Sequence, residues 1–271
     1  MKPATGIGMV LAFLGILMGA LMEGTSPTTF IDIPAFLIII LGTAGATLAS
    51  VGMETMKMIP TLYKRVLDGA PPDYTGRVEL LVSLAEQARR EGLLALDQRV
   101  GEIDDDFTRK GLQLVVDGID PDLVREVLEA EIDGMIARHH AGASMFEKAG
   151  GFAPTMGIMG TVMGLVHVLA NLAAPSTLGP SISSAFVATL LGIGSANVVY
   201  LPVGNRLKAL SQEEVEFRTL TLDGILAVQA GDNPRVVAEK LNSYIAPAAR
   251  IGDEARAASS SQGDLRDAQA A

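Results

Sequence analysis

The chain has 271 residues, a formal net charge of −10 at pH 7, 49% hydrophobic residues and no cysteine. The absence of cysteine excludes disulfide bonds, thiolate metal sites and cysteine nucleophiles. No nucleic-acid partner is expected for this acidic chain.

Three runs without charged residues predict four membrane-spanning helices. The first two runs, residues 3–22 and 33–53, each suit one crossing, since a crossing takes about 20 apolar residues. The third run, residues 149–205, suits two crossings, and residues 171–180 (NLAAPSTLGP) are predicted to form the turn between them. The four helices are predicted at residues 6–22, 34–52, 152–174 and 181–203.

Residues 54–148 show helical periodicity and no alternating pattern typical of a strand. Asp120, Pro121 and Asp122 predict a helix start, with a capping side chain, a proline in the first turn and acid near the positive end of the helix dipole. This helix is predicted to run almost directly into the third span. A charged amphipathic helix follows Arg206, and residues 252–271, which are small and polar, are predicted to be disordered.

The predicted fold is therefore all-α: a polytopic membrane protein with four transmembrane helices and a helical cytoplasmic domain between the second and third. The predicted parts are a transmembrane hairpin at residues 1–53, the cytoplasmic domain at 54–148, a second hairpin at 149–205, and a cytoplasmic helix with its tail at 206–271. All 21 Lys and Arg residues lie outside the two short loops. Because basic residues accumulate on cytoplasmic loops, both termini are predicted to be cytoplasmic. A cleaved signal peptide is disfavoured, since a second span follows the first at once.

Small residues recur along the third and fourth spans and by themselves favour close packing of the two helices. They are Gly157, Gly160, Gly164, Ser184, Ala188, Gly192, Gly194 and Ala196. Thr161 and Thr189 lie near mid-depth, where a hydroxyl either bonds its own helix or lines a wet ion path. Pro154 and Pro202 lie near the same membrane face. Such a pair predicts a hinge or gate, although each proline alone is an ordinary helix-end residue.

The predicted spans contain no Asp, Glu, Lys or Arg. A proton relay or ion pump normally uses an ionisable residue within the membrane. His167 is the one candidate, and a lone histidine beside Gly and Val is more often a packed, hydrogen-bonded residue. If the protein moves ions, the titratable group is therefore predicted to come from another chain.

The densest charged surface lies at residues 87–97 (QARREGLLALD). Arg89 and Arg90 point to neighbouring parts of one exposed helix face, which is either a solvated helix end or a docking surface whose charges set orientation. The sequence contains no phosphate loop, zinc-ligand spacing or nucleophile–base constellation. We therefore predict no enzymatic activity, no metal site and no cofactor.

Several stretches resemble the MotA/PomA family of flagellar motor stator proteins. They are ARREGLLALD (88–97), APTMGIMGTVMGLVHVLANL (153–172), ISSAFVATLLGI (182–193) and LPVGNRLK (201–208). The resemblance covers about residues 4–250 and extends to motif order, spacing and topology. It implies that the third and fourth spans line an ion path beside a membrane helix of a B-type partner (MotB or PomB), which supplies the ion-binding aspartate. It also implies a ring of five copies around a partner dimer, and a cytoplasmic surface that drives the rotor protein FliG.

The resemblance also assigns roles to individual residues. Thr161, Thr189, Gly160 and Ala188 are expected to line the ion path. Pro154 and Pro202 correspond to the family's two functional prolines, and Arg89 and Arg90 match its docking residues. Asp97 stands where a glutamate is usual, which keeps the charge on a shorter side chain. Thr161 resembles sodium-driven relatives, whereas many proton-driven ones have alanine; this favours Na⁺ slightly and leaves H⁺ open.

The leading hypothesis is thus a flagellar stator subunit of the inner membrane, embedded in lipid, that conducts H⁺ or Na⁺ only with its partner. One alternative is an ion-driven ring of the ExbB/TolQ kind, which is disfavoured because those proteins typically have three spans, with the large loop after the first. Another is a non-conducting scaffold in which the small-residue helices only pack. A neighbouring gene for a one-span protein with an intramembrane Asp and a peptidoglycan-binding domain would favour the stator.

Overall fold

A computed structural model describes residues 4–245, apart from the side chain of Asp68, and this part of the chain is helical with no strand. Its ten α-helices are α1 (Ala4–Met22), α2 (Ile33–Met56), α3 (Ile59–Asp68), α4 (Tyr74–Glu91), α5 (Asp97–Val100), α6 (Asp106–Val116), α7 (Pro121–Ala170), α8 (Pro175–Ser195), α9 (Leu201–Ala230) and α10 (Pro234–Asn242). Short 3₁₀ turns lie at Pro27–Phe30 and Leu93–Leu96, and a π-helical turn, Ala196–Tyr200, joins α8 to α9. The prediction of an all-α fold is confirmed.

Within residues 4–245, four helical stretches are long and apolar enough to cross a membrane, namely α1, α2, α7 and the continuous stretch α8–α9. The first two match the predicted spans closely. At Gly52, the predicted end of the second span, the backbone leaves helical geometry with a φ of 79°, which glycine adopts without strain. The 50-residue helix α7 begins at Pro121. The prediction that this charged helix continues into the third span is therefore confirmed.

The turn between the third and fourth spans is shorter than predicted. Because α7 ends at Ala170 and α8 begins at Pro175, the predicted helix ends at residues 174 and 181 were wrong, and residues 175–180 are helical. The Asn171 amide donates to the His167 carbonyl at 2.8 Å, which satisfies one of the carbonyls left free at a helix end. Proline suits the first turn of a helix, where no N–H donor is needed, so Pro175 starts α8. Pro180 lies inside α8, in its second turn, where it removes one backbone hydrogen bond.

The helix that contains the fourth span continues beyond the predicted end of that span at residue 203. After the π-helical turn, α9 runs from Leu201 to Ala230. The predicted end was set by the return of charged residues at Arg206. Charge marks the limit of the membrane core and does not stop a helix, so the backbone continues.

By packing, the chain divides into two compact units. The first unit comprises Met1–Ala70 with Ala137–Ser211, and the second comprises Pro71–Ile136 with Gln212–Ala271. The predicted four-part division follows the membrane borders and stays a prediction. The tail predicted to be disordered, residues 252–271, lies outside the described residues.

Each unit has its own apolar core. In the first unit α2 packs on α8, and Ala35, Ile39 and Ala188 form a buried cluster between them. The core of the second unit is rich in leucine, and burial of this apolar surface supplies its main stabilisation. Its fully buried leucines are Leu81, Leu84, Leu96, Leu112, Leu128, Leu220 and Leu241.

Among the ion pairs of the second unit, one connects α4 to the residue that caps α6. The Arg77 guanidinium donates to the Asp105 carboxylate at 2.9 Å and lies over the Phe217 ring, 4.8 Å from its centroid. Asp105 also caps α6 by accepting from the Thr108 backbone N–H at 3.0 Å and from the Thr108 hydroxyl. Burial raises the pKa of Asp105, but the Thr108 hydrogen bonds and the Arg77 charge outweigh it and hold that pKa below its ordinary value of 3.8.

We expect Asp105→Asn to lower the free energy of unfolding by about 1 kcal/mol at neutral pH, because the pair is part-exposed and screened by solvent. Asparagine still caps the helix, so the loss reports the ion pair. A carboxyl with a lowered folded pKa stabilises the protein above its unfolded pKa, and this contribution disappears as pH falls through the folded pKa. The deficit of the variant should therefore shrink in acid. Thermal unfolding followed by circular dichroism checks this, and an equal loss in Asp104→Asn, at an exposed carboxylate without an ion pair in the described residues, would contradict it.

Candidate functional site

The backbones of α7 and α8 approach so closely that glycine is required at their contact. A β-carbon on Gly157 would lie 3.0 Å from the Ala188 carbonyl oxygen and 3.2 Å from the α-carbon of Thr189. A β-carbon on Gly192 would lie 2.6 Å from the Ala153 carbonyl oxygen. Because these neighbours are backbone atoms, they cannot rotate away. These contacts agree with the close packing of the two helices that the sequence predicts from the glycines.

Gly160 and Ala188 belong to the same contact. A β-carbon on Gly160 would lie 2.8 Å from the β-carbon of Ala188, and Ala188 is only 3% exposed. Gly164 packs on Ala185 in the same way. In the single chain these residues fill the contact between the two helices. The expectation that Gly160 and Ala188 line an ion path stays a prediction.

Thr161 and Thr189 meet at this helix pair. Their hydroxyls are hydrogen-bonded to each other. The Thr161 oxygen also lies 3.1 Å from the Gly157 carbonyl and 3.0 Å from the Ala185 carbonyl, and the Thr189 oxygen lies 3.5 Å from the Gly157 carbonyl. Both residues are half-buried. Two hydroxyl and two carbonyl oxygens thus converge at one place, which is the kind of ligand set that replaces part of a cation's water shell.

The two prolines lie in adjoining, weakened stretches of helix. Pro202 has no backbone N–H, so it cannot donate to the carbonyl four residues earlier in the helix. The N–H of Leu201 donates to the Ala196 carbonyl, five residues earlier, which makes the turn before Pro202 π-helical. Pro154 lies inside α7, where it likewise removes a backbone hydrogen bond. The two stretches touch, because a β-carbon on Gly150 would lie 2.6 Å from the Leu201 side chain. Their role in conformational coupling stays a prediction, and proline together with a π-helical turn is a common cause of helix bending.

His167 was predicted to be a packed, hydrogen-bonded residue. Its ring is hydrogen-bonded to Asn171, but the residue is exposed in the single chain. Its carbonyl accepts from Asn171, as described above, and its ring lies 3.5 Å from the same amide. The residue lies within about one turn of the helix end, where the side chains of α7 are largely exposed.

The predicted docking residues lie on a short segment of the second unit. Arg89 and Arg90 occupy the last turn of α4, where positive charge favours the helix dipole, and both are exposed. Gly92 ends the helix with a φ of 86°, and Asp97 begins α5 and is exposed as well. Leu94, which the sequence analysis missed, is 78% exposed between these charges.

The position of α5 is held by hydrogen bonds to α4. Arg99 donates to the Ser83 hydroxyl at 3.1 Å and to the Gln87 side-chain oxygen at 3.4 Å. The Gln87 amide in turn donates to the Ala95 carbonyl at 3.2 Å. These bonds fix the segment that carries Leu94 and Asp97 relative to the end of α4. Whether this surface docks on a rotor stays a prediction.

The fold and the site define a polytopic membrane protein whose last two spans meet at paired hydroxyls and close-packed glycines, with no Asp, Glu, Lys or Arg in the predicted spans. The sequence model of the MotA/TolQ/ExbB proton channel family matches residues 99–219. Motility protein A of Bacillus subtilis is 39% identical over 243 residues, which are 88% of this chain and 89% of that protein. Chemotaxis protein PomA of Vibrio alginolyticus is 33% identical over 245 residues, 90% of this chain and 96% of PomA.

Solved structures agree with these relatives. The structure of C. jejuni MotAB matches with a TM-score of 0.86 and 31% identity, covering 91% of this chain and 96% of that chain. The flagellar MotAB stator complex from Bacillus subtilis matches with a TM-score of 0.84 and 36% identity, covering 90% and 96%. The chain belongs to the MotA/TolQ/ExbB proton channel family, within its Motility protein A group, and is an ion-conducting subunit of the flagellar stator type in the cell membrane.

Proposed function

We propose that this chain is the A-type subunit of a flagellar stator, which conducts H⁺ or Na⁺ together with a B-type partner and converts the ion flow into torque. The observation that carries the proposal is the contact between the Thr161 and Thr189 hydroxyls, in spans that offer an ion no charge of their own. Hydroxyl and carbonyl oxygens replace part of a water shell, but ion transport within a membrane normally also uses an ionisable group. An aspartate on the partner's membrane helix would supply that group beside the two threonines.

The apolar surface of α7 supports an assembly. Ile158, Val162, Val166 and Leu169 are all exposed in the single chain. Exposed apolar residues of a span are covered by other helices or by lipid. A ring of copies, five by the family resemblance, with the partner's helices at its centre and lipid outside would cover them. The similar solved structures, both MotAB complexes, support a B-type partner and an oligomer.

Coupling to the rotor follows from the proline stretches and the charged surface. Ion binding at the threonines would shift α7 and α8 where Pro154 and Pro202 weaken their hydrogen bonding. With both termini and the second unit in the cytoplasm of the cell, Arg89, Arg90 and Asp97 would face the rotor protein FliG. Their charges would orient the contact rather than supply most of its affinity.

Two alternatives make different predictions. The family includes TolQ and ExbB, but the relatives named above are motility proteins that match about nine tenths of this chain. The large insertion after the second apolar helix, and not after the first, also disfavours the ExbB/TolQ arrangement. A non-conducting scaffold would pack its small residues equally well but would show no ion flux.

We expect a strain that lacks this gene to lose swimming and to regain it with the wild-type gene. Complementation with Thr161→Ala should change the dependence of swimming on external sodium at fixed pH if Na⁺ is the coupling ion, because the substitution removes one of the converging oxygens. Swimming that does not change with external sodium but stops when a protonophore is added would identify H⁺ as the coupling ion. Thr155→Ala is the control, since its hydroxyl bonds only the Phe152 carbonyl and is exposed. Unimpaired swimming of the deletion strain, with no second stator present, would refute the flagellar function.

A further inference from the structure

Helix α3 connects the ends of two membrane spans. It begins at Ile59, three residues after α2 ends at Met56. Near its other end it packs on the start of α1, where a β-carbon on Gly6 would lie 3.5 Å from the Leu67 side chain. Since α1 and α2 are consecutive spans joined by residues 23–32, the start of α1 and the end of α2 lie at the same membrane face. Helix α3 therefore runs along that face for about 15 Å, at the border between the apolar core and water.

One side of α3 packs on the rest of the first unit. Val66 is buried, and the other residues of this side, at spacings of three and four, are Ile59, Leu62 and Tyr63. The Tyr63 ring meets the Phe146 ring of α7 edge-on, with 5.3 Å between the ring centroids. Such spacing places all four side chains in one stripe of the helix. Packing of this stripe fixes the rotation of α3 about its axis, so its opposite side points away from the protein.

The outward side of α3 combines lysine with exposed apolar residues. Lys64 and Leu67 lie three residues apart, which places them on the same side of the helix, and Leu67 is 49% exposed. Lys57 and Met58, just before the helix, repeat this combination, and Met58 is 41% exposed. At a membrane border the apolar side chains can lie among acyl chains while the lysine side chains extend to the level of the headgroups. The outward side therefore suits a lipid surface better than it suits bulk water.

The lysines at this border keep hydrogen-bond donors for a group outside the protein. Lys64 is exposed and makes no ion pair or hydrogen bond within the described residues. Lys57 pairs with Glu54 at 2.9 Å, and both side chains are largely exposed, so this pair contributes little. Lys148 of α7 is exposed and donates to the Ser50 carbonyl at 3.2 Å. Because an ammonium group has three donors, Lys57 and Lys148 also retain donors beyond these contacts.

The charge of this membrane face differs from that of the other face. The segments of the first unit that adjoin the spans here, residues 54–70, 137–148 and 206–211, contain seven Lys and Arg residues but three Asp and Glu residues, in a chain whose net charge is −10. The loops of the other face, residues 23–32 and 171–180, contain two acidic residues and no Lys or Arg. Orientation in the membrane accounts for an excess of basic residues on one face. It does not require lysines on the outward side of a helix packed along the border, whereas attraction to anionic lipid does.

We propose that the outward side of α3 binds anionic phospholipid, with Lys57 and Lys64 on the phosphate groups and Met58 and Leu67 against the acyl chains. The inference needs a chain that lies in a membrane but does not need ion conduction, so it goes beyond the proposed function. A zwitterionic lipid carries a cation beside its phosphate, which the lysines would repel, and it therefore fits this surface less well. Bound lipid would hold α3, and with it the junction of α1 and α2, at the depth of the headgroups.

The test measures which lipid lies beside α3. The chain contains no tryptophan, so a single introduced tryptophan reports its own surroundings by fluorescence. Leu67→Trp in the full chain is reconstituted into phosphatidylcholine vesicles that contain either brominated phosphatidylglycerol or brominated phosphatidylcholine. The bromine atoms quench a neighbouring tryptophan, and the two quenching curves give the relative affinity for the two lipids. Met22→Trp is the matched control, because Met22 is 87% exposed at the other membrane face, beside Glu23.

We expect Leu67→Trp to show about a fivefold preference for phosphatidylglycerol, the factor that corresponds to ~1 kcal/mol for a lysine near the headgroups. The preference should disappear when Lys57→Gln and Lys64→Gln are added, and Met22→Trp should show none. Raising NaCl from 0.1 M to 1 M, which shortens the Debye length from about 10 Å to about 3 Å, should weaken the preference without any further substitution. Three results would each overturn the inference: equal quenching by the two lipids at Leu67→Trp, a preference that survives the loss of both lysines, or the same preference at Met22→Trp.

Discussion

Gly192→Ala is expected to abolish ion flux and to lower the melting temperature of the complex, although it adds a single methyl group. The added β-carbon would lie 2.6 Å from the Ala153 carbonyl oxygen and 3.0 Å from the α-carbon of Gly157. Neither backbone atom can turn aside, so α7 and α8 must separate. Overpacking of this kind costs typically 1–3 kcal/mol. Separation would also pull apart the Thr161 and Thr189 hydroxyls, which is why flux should suffer more than stability.

The same helix supplies the control. Gly194 lies two residues on, and nothing stands within 4 Å of the position its β-carbon would occupy. Gly194→Ala should therefore leave the melting temperature and the flux close to those of the wild type. Thermal melting of the detergent-solubilised complex and ion uptake into liposomes measure the two effects. Equal behaviour of the two alanine variants would show that close approach of α7 and α8 is not what the glycine provides.

Arg90→Glu is expected to stop rotation of the motor while leaving ring assembly and ion flux intact. Arg90 is exposed at the end of α4 and forms no ion pair within the described residues, so the substitution costs the fold only the interaction of its charge with the helix dipole, about 0.3–1 kcal/mol. A like-charge juxtaposition at a docking surface costs several kcal/mol. The loss should therefore appear in the rotor contact alone. Rotation of tethered cells, together with flux in liposomes, separates torque from conduction.

Arg235→Glu is the matched charge reversal. Arg235 is an exposed arginine in the first turn of α10, where a negative charge suits the helix dipole. Arg235→Glu changes the net charge by the same amount as Arg90→Glu, and we expect it to leave rotation normal. Cells that carry Arg90→Glu and swim normally would remove Arg90 from the docking surface. Failure of both variants would indicate a general effect of charge rather than a local contact.

The spans were predictable because an uncharged run of sufficient length has few stable places outside a membrane. The 50-residue helix α7 was predictable for a related reason, since residues 122–148, after the proline of its first turn, contain neither a proline nor a strand pattern that would end a helix. The turn at residues 171–180 was predicted too long, because its Asn, Pro and Gly composition is typical of a loop. Two prolines near a helix start are compatible with a helix, and only the backbone showed that Pro175 begins one.

The features of the candidate site likewise fall into those that the sequence predicted and those that only the structure showed. Pro202 made the loss of a hydrogen bond certain, but whether the helix bends, breaks or widens into a π-helical turn depends on what packs around it. Leu94 could not be distinguished from a core leucine by pattern, because its exposure depends on the turn at Gly92. The threonines of α2 were equally ambiguous, since Thr43, Thr47 and Thr55 have the same chemistry, but only Thr55 bonds the carbonyl one turn back, while the other two hydroxyls are buried without a partner in the described residues.

For this protein the sequence alone determined that four helices are long and apolar enough to cross a membrane, and that the predicted spans contain no Asp, Glu, Lys or Arg. These properties depend on composition and on distance along one chain, which every conformation shares. Tertiary structure alone decided that Gly157 and Gly192 bring two backbones into contact, and that Thr161 and Thr189 meet there. These properties depend on which atoms of different helices are neighbours, and packing sets them only once the helices have come together.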